Sequence, residues 1–165
     1  MTRLAIVALL LGSVTCASPV TSVRPSPTQD PATVRYVLLV HNYWIQYKAA
    51  EGNPEHFINV CLGLVQDPRR VDSAACHAIG IAILLPHENF LKSLDFTTAP
   101  TRFKADDQVF RAQLPKAIAD IQAMVDAAAN DDKEAVVRHT KAYADDMIPS
   151  VTRALDDVDP TVVHD

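Results

Sequence analysis

The chain has 165 residues, 48% of them hydrophobic and only 6% aromatic, with 20 acidic side chains against 15 basic ones and a formal net charge of −5. That length suits one domain rather than two. The acidic balance argues against nucleic acid and an anionic membrane surface as partners, because both require a concentrated basic patch.

The first 17 residues read as an export signal. Arg3 supplies a positive charge, Leu4 to Leu11 form an unbroken apolar run, and small or polar residues follow from Gly12 to Ala17. The run is too short to span a bilayer, which takes about 20 apolar residues, and no later stretch is expected to span one. An N-terminal buried helix is the competing reading of the same run, and the order of charge, apolar run and small residues favours the signal. Two processing routes are open. Cleavage after Ala17 places Thr15 and Ala17 at the positions where signal peptidase takes small residues. A lipoprotein route instead cuts before Cys16 and acylates its thiol, although Ser13-Val14-Thr15 is an imperfect match to the sequence that precedes such a cysteine. Simple secretion is favoured over a lipid anchor at Cys16, and either route puts the chain outside the cytoplasm. Losing Arg3 with the signal takes the net charge from −5 to −6. Residues 18–30, rich in proline, serine and threonine, are expected to be a disordered spacer, because such a composition buries little apolar surface.

From residue 31 the helix starts are legible. Asp30-Pro31, Asn53-Pro54 and Asp67-Pro68 each place a capping side chain before a proline at the first helical position. These predict helices over about 31–50, 54–66 and 68–94, the last kinked or broken at Pro86. An irregular link covers Asp95 to Lys104. A fourth helix is expected over about 105–129, with a bend at Pro115. A fifth covers about 131–157, with an acidic first turn at Asp131-Asp132 and a bend at Pro149. The ten residues from Asp156 are expected to fray, and residues 158–165 form an acidic disordered tail. Helix one is apolar over most of its circumference and is expected to be central, with Val34, Leu38, His41 and Ile45 on one face. Phe110, Leu114, Ala117, Ile121, Met124 and Ala128 form the inner stripe of helix four. Val136, Thr140, Tyr143, Met147, Val151 and Ala154 form that of helix five. Ile79, Ile83, Phe90 and Leu94 do the same for helix three. The expected fold is therefore all-α, a single antiparallel bundle of four to five helices over 31–157.

Of the three cysteines, Cys16 is removed or blocked by export, which leaves Cys61 and Cys76 as an even pair in an oxidising compartment. They lie on either side of the Asp67-Pro68 turn at heights of about 9 and 13 Å along their helices, so a small stagger brings them level. A disulfide is expected there, closing a loop of about 15 residues and contributing roughly 3 kcal/mol. Two buried free thiols are the alternative.

The candidate ligand residues are histidines. His41, His77 and His139 fall near core stripes, and bundles build haem and metal sites from facing helices. No His-x-x-x-His, Glu-x-x-His or Cys-x-x-Cys-His spacing supports such a site, so single-bonded boundary histidines are the plainer reading. Met124 and Met147 read as core rather than as axial ligands. His87-Glu88-Asn89 reads as a capped, solvated turn at the Pro86 break. Asp131-Asp132, Asp145-Asp146 and Asp156-Asp157 lack the loop spacing of a calcium site, and Arg69-Arg70 reads as a surface pair. No nucleophile elbow, phosphate loop or zincin motif occurs, and four glycines give little scope for backbone phosphate cradles. The expectation is an exported, non-enzymatic protein of the cell envelope that binds a protein or small ligand and needs no cofactor. A haem- or metal-binding bundle is the alternative, and an enzyme without a local motif is a third.

Overall fold

A computed structural model describes residues 30–50 and 54–161. The export signal, Cys16, nearly all of the spacer, the Asn53 cap and the last four residues lie outside the described residues. The chain is all-α, and no strand occurs among the described residues. Six helices follow in order: α1 (Pro31–Ala49), α2 (Pro54–Gln66), α3 (Ser73–Asp95), α4 (Lys104–Ala129), α5 (Lys133–Asp146) and α6 (Thr152–Val158).

Side-chain caps explain the starts of α1, α3 and α5. Asp30 accepts from the Thr33 amide and precedes Pro31, and Asp132 accepts from the Ala135 amide. Asp67-Pro68 does not start the third helix. It starts a single 3-10 turn, Pro68–Arg70, in which the Asp67 carboxylate accepts from the Arg69 amide and side chain. The helix begins five residues later, where Asp72 accepts from the Ala75 amide. Between α4 and α5, Asp131 takes a positive φ of 53°, a conformation aspartate tolerates better than most residues. Its carboxylate accepts from Ser73 Oγ at 2.6 Å and ties that turn to the start of α3.

Neither inner proline breaks its helix. α3 runs through Pro86 and α4 through Pro115. Pro86 withholds the amide that would bond the carbonyl of Ala82, a residue on the solvent side. The fifth helix does change form near its proline. Beyond Asp146 the chain widens into a π-helical turn, Met147–Val151, before α6.

The central helix is α4, which packs along α3 and α5 and also meets α6 and the π turn. All six residues of its expected stripe are buried, as are all six of the α5–α6 stripe and the four of α3. At the α3–α4 crossing, α4 side chains pack directly on Gly80: a Cβ there would lie 2.5 Å from Met124 Cε and from Val125 Cγ2. α1 is not central. It buries Thr33, Tyr36, Val40, Tyr43 and Tyr47, while Val34, Leu38 and Ile45, expected inside, are exposed. The aliphatic pattern of α1 pointed to the wrong face because its tyrosines, with their larger ring area, take the core side.

Cys61 and Cys76 sit side by side with Cα atoms 5.6 Å apart and their sulfurs at bonding distance, within the range a disulfide requires. Asp156 to Val158 complete α6, and Val158 and Asp159 are buried, so the described part of the segment expected to fray is packed. Ser73–Asp95 is, by length and composition, apolar enough to cross a membrane, contrary to the reading of the sequence; 39% of its most apolar window is buried. The excess is on its outer side, where Ile81 and Leu85 are exposed.

Candidate functional site

The three candidate ligand histidines sit on three different helices. His41 on α1 pairs through Nδ1 with Asp159 at 2.8 Å, and Asp159 also accepts from Thr161. His139 on α5 lies 3.7 Å from Asp120 of α4. His77 is half-buried in the second turn of α3. Among the described residues no group of three His, Cys, Asp or Glu side chains could hold a metal ion.

The histidine with the most specific surroundings is His87. Because α3 continues through Pro86, His87 is carried into the core and fully buried instead of lying in a solvated turn. Its Nδ1–H donates to the Ile83 carbonyl at 2.8 Å, which leaves Nε2 to accept from the Tyr143 hydroxyl at 3.3 Å; Tyr47 then donates to Tyr143 at 2.9 Å. A neutral imidazole satisfies this chain with both hydroxyl protons placed. Burial holds the His87 pKa down at about 4, against the usual 6.5. Burial likewise raises Tyr47 to about 12 and pushes Tyr43 and Tyr143 well above the ordinary phenol. The rings of Tyr43 and Tyr47 meet His87 edge-on. Each group is held in its neutral form at physiological pH, and the cluster organises the core.

A second network stands at the other end of α1. Tyr36 donates to Asp107 at 3.0 Å, and Asp107 accepts from Arg111 Nε at 2.8 Å. Arg111 also donates to the Leu94 carbonyl at 2.6 Å and to the Thr97 carbonyl at 3.4 Å. Tyr36 stacks on Phe103, with the Arg102 guanidinium 4.2 Å from the Phe103 ring centre. Together these contacts fix the α3–α4 link against α1.

That fixation forms one end of a groove. The groove runs between α1 and the C-terminal half of α3, from Gln46 and Asn89 to Ala32 and Thr98. Its wide end, about 630 Å³, lies beside the fixed link. Leu39 and Asn42 are common to both ends. Its floor holds Tyr43, stacked on Phe90 at 4.3 Å, and its rim carries Phe96, 84% exposed. Leu38 and Leu39 add apolar surface, while Arg35, Asn42, Gln46 and Asn89 add polar groups. Leu85 and Ile81 continue the exposed apolar surface along α3, one and two turns before Asn89. This volume lies in the range of small-ligand sites.

No family model, curated protein or solved structure matches the chain.

The groove residues were not singled out in the sequence, though a signal was present. Arg35, Leu39, Asn42 and Gln46 recur at steps of 4, 3 and 4, a helical stripe distinct from that of the buried tyrosines. The eye goes to the aliphatic run between them. Phe96 and the link lacked any periodic signal, because their placement is set by Arg111, 15 residues downstream.

Proposed function

We propose that this chain is an exported, non-enzymatic binding protein of the cell envelope that holds a protein or small ligand on the α1–α3 side of the bundle. One observation carries the reading. A preformed groove exposes Phe96 and Leu38 together beside Arg35 and Asn42, whose side chains have no partner among the described residues, and a contiguous exposed apolar patch rimmed by polar groups is the form a binding site takes. The signal-like N-terminus supports export. The adjacent Cys61 and Cys76 support an oxidising compartment. The His87–tyrosine cluster is fully buried, out of reach of a substrate, which supports a binding role over catalysis.

Native mass spectrometry of the protein released from its own envelope without denaturation tests this reading. The mature chain is expected to carry an additional mass, and the double variant Leu38→Glu, Phe96→Glu is expected to lose it while keeping its helical circular dichroism. A bare chain in both samples, or a mass retained by the variant, would contradict the proposal. A Soret band in the purified protein would move the reading to a haem bundle.

A further inference from the structure

Resting on that binding role, the geometry points to the occupant of the α1–α3 groove: an extended peptide segment of about six residues bearing a carboxylate, read by an amide ladder and Arg35. Asn42 and Gln46 stand one turn apart on α1, about 6.0 Å along the axis, and Asn89 faces them from α3. The backbone groups that an extended peptide presents to one side recur every second residue, about 6.6–6.8 Å. The two repeats match closely enough for successive side-chain amides to pair with alternate peptide units. An amide is suited to that task because it offers both a donor and an acceptor to a peptide group. The side chains of Asn42, Gln46 and Asn89 hold no hydrogen bond within the described residues, so they are free for it.

The charge is settled at the other end of the groove. Arg35 lines the wide part and forms no ion pair with any described residue, and among the described residues no carboxylate lines either part of the groove. An unpaired guanidinium in an otherwise acidic molecule is complementary to a carboxylate, which it can bind through two parallel hydrogen bonds. Beside it, Leu38 and the exposed Phe96 ring provide an apolar seat for a neighbouring peptide side chain. From Ala32 to Gln46 the groove follows 14 residues of helix, about 21 Å, which is the length of about six extended residues. The link beneath Phe96 is already held by Arg111, so little ordering cost falls on binding.

The test uses the exported form of the full chain, labelled with nitrogen-15, and three defined probes. The first is a pool of capped hexapeptides with one fixed glutamate, the second the matched pool with lysine in its place, and the third a neutral glucan oligosaccharide. The glutamate pool is expected to shift the side-chain amide signals of Asn42, Gln46 and Asn89 together with the Arg35 Nε signal, and the lysine pool to leave them unmoved. Arg35→Glu should weaken binding of the glutamate pool at least about tenfold, equivalent to about 1.4 kcal/mol, and favour the lysine pool. Arg35→Gln should weaken it without the reversal. Backbone signals of the core report whether each variant is folded. Equal response to both peptide pools, shifts confined to other faces, or a response to the oligosaccharide alone would overturn the inference. If the groove ignores the glutamate pool while the native protein still carries a mass that Leu38→Glu, Phe96→Glu removes, the binding role stands and the peptide assignment falls.

Discussion

Replacing His87 with phenylalanine should remove a specific part of the acid sensitivity of the fold. His87 is neutral in the folded protein down to about pH 4, while in the unfolded chain it takes up a proton near pH 6.5. Between those values the unfolded state binds more protons, so stability falls as pH falls. At 1.36 kcal/mol per pH unit the full window of 2.5 units is worth roughly 3 kcal/mol, and about 2 kcal/mol of it is lost by pH 4.5. Against a typical total of 5–15 kcal/mol that is a large share. His87→Phe keeps a flat ring against Tyr43 and Tyr47 and leaves Tyr143 its bond to Tyr47. It gives up the bonds to Ile83 and Tyr143. The assay is urea denaturation of both proteins at pH 7.0, 6.0, 5.0 and 4.5. Carboxylates titrate equally in the two, so the difference between the proteins isolates His87. The variant is expected to be less stable at pH 7 and to close or reverse that gap by about 2 kcal/mol at pH 4.5. Parallel pH profiles would refute both the burial and the neutral state of His87.

Three further expectations follow from single contacts. Gly80→Ala should destabilise by about 1–2 kcal/mol in urea, because the added methyl meets Val125 Cγ2 and overpacking outweighs the helix-propensity gain of up to about 1 kcal/mol; a stabilised variant would show that the α3–α4 approach is looser. Asp107→Ala should cost about 1–3 kcal/mol by orphaning the Tyr36 hydroxyl, and should raise the amide exchange of the Phe96–Thr98 link; an unchanged melting curve would count against that network. Denatured, unreduced protein should show no titratable thiol from Cys61 or Cys76, and reduction should lower stability by roughly 3 kcal/mol and loosen α2 before the α4–α5 hairpin; two free thiols would reject the bridge.

The inner faces of α4 and α5 were legible, because long amphipathic stripes specify both helix and face. Ile121 and Tyr143 fall on the buried side as their spacing implies. α1 was legible as a helix but not as a face. When apolar residues surround a helix, periodicity no longer chooses a side, and the choice fell to Tyr36 and Tyr47, whose hydroxyls bond Asp107 and Tyr143, and to Tyr43, whose ring packs on Phe90 and His87. Pro86 misled for a related reason: a proline in a helix costs one hydrogen bond, and packing of Ile83, His87 and Phe90 outweighs that loss. The cysteine pair was readable as an even pair across one short turn, but not from the heights: α3 starts at Ser73 rather than Pro68, so Cys76 lies in its first turn and meets Cys61 there. The groove was not, since it is made by α1, α3 and a link held in place by Arg111, a contact that sequence separation hides.

The most direct test of the account is a photo-crosslinking experiment in the cells that make the protein. A photoreactive phenylalanine analogue is placed at Phe96 or Leu38 on the groove, and at Lys116 on exposed α4 as the control. The account predicts a discrete adduct from both groove positions and none from Lys116. Adducts from Lys116 alone, or none from any position while the protein is folded and exported, would contradict the claim that this groove is where the protein does its work.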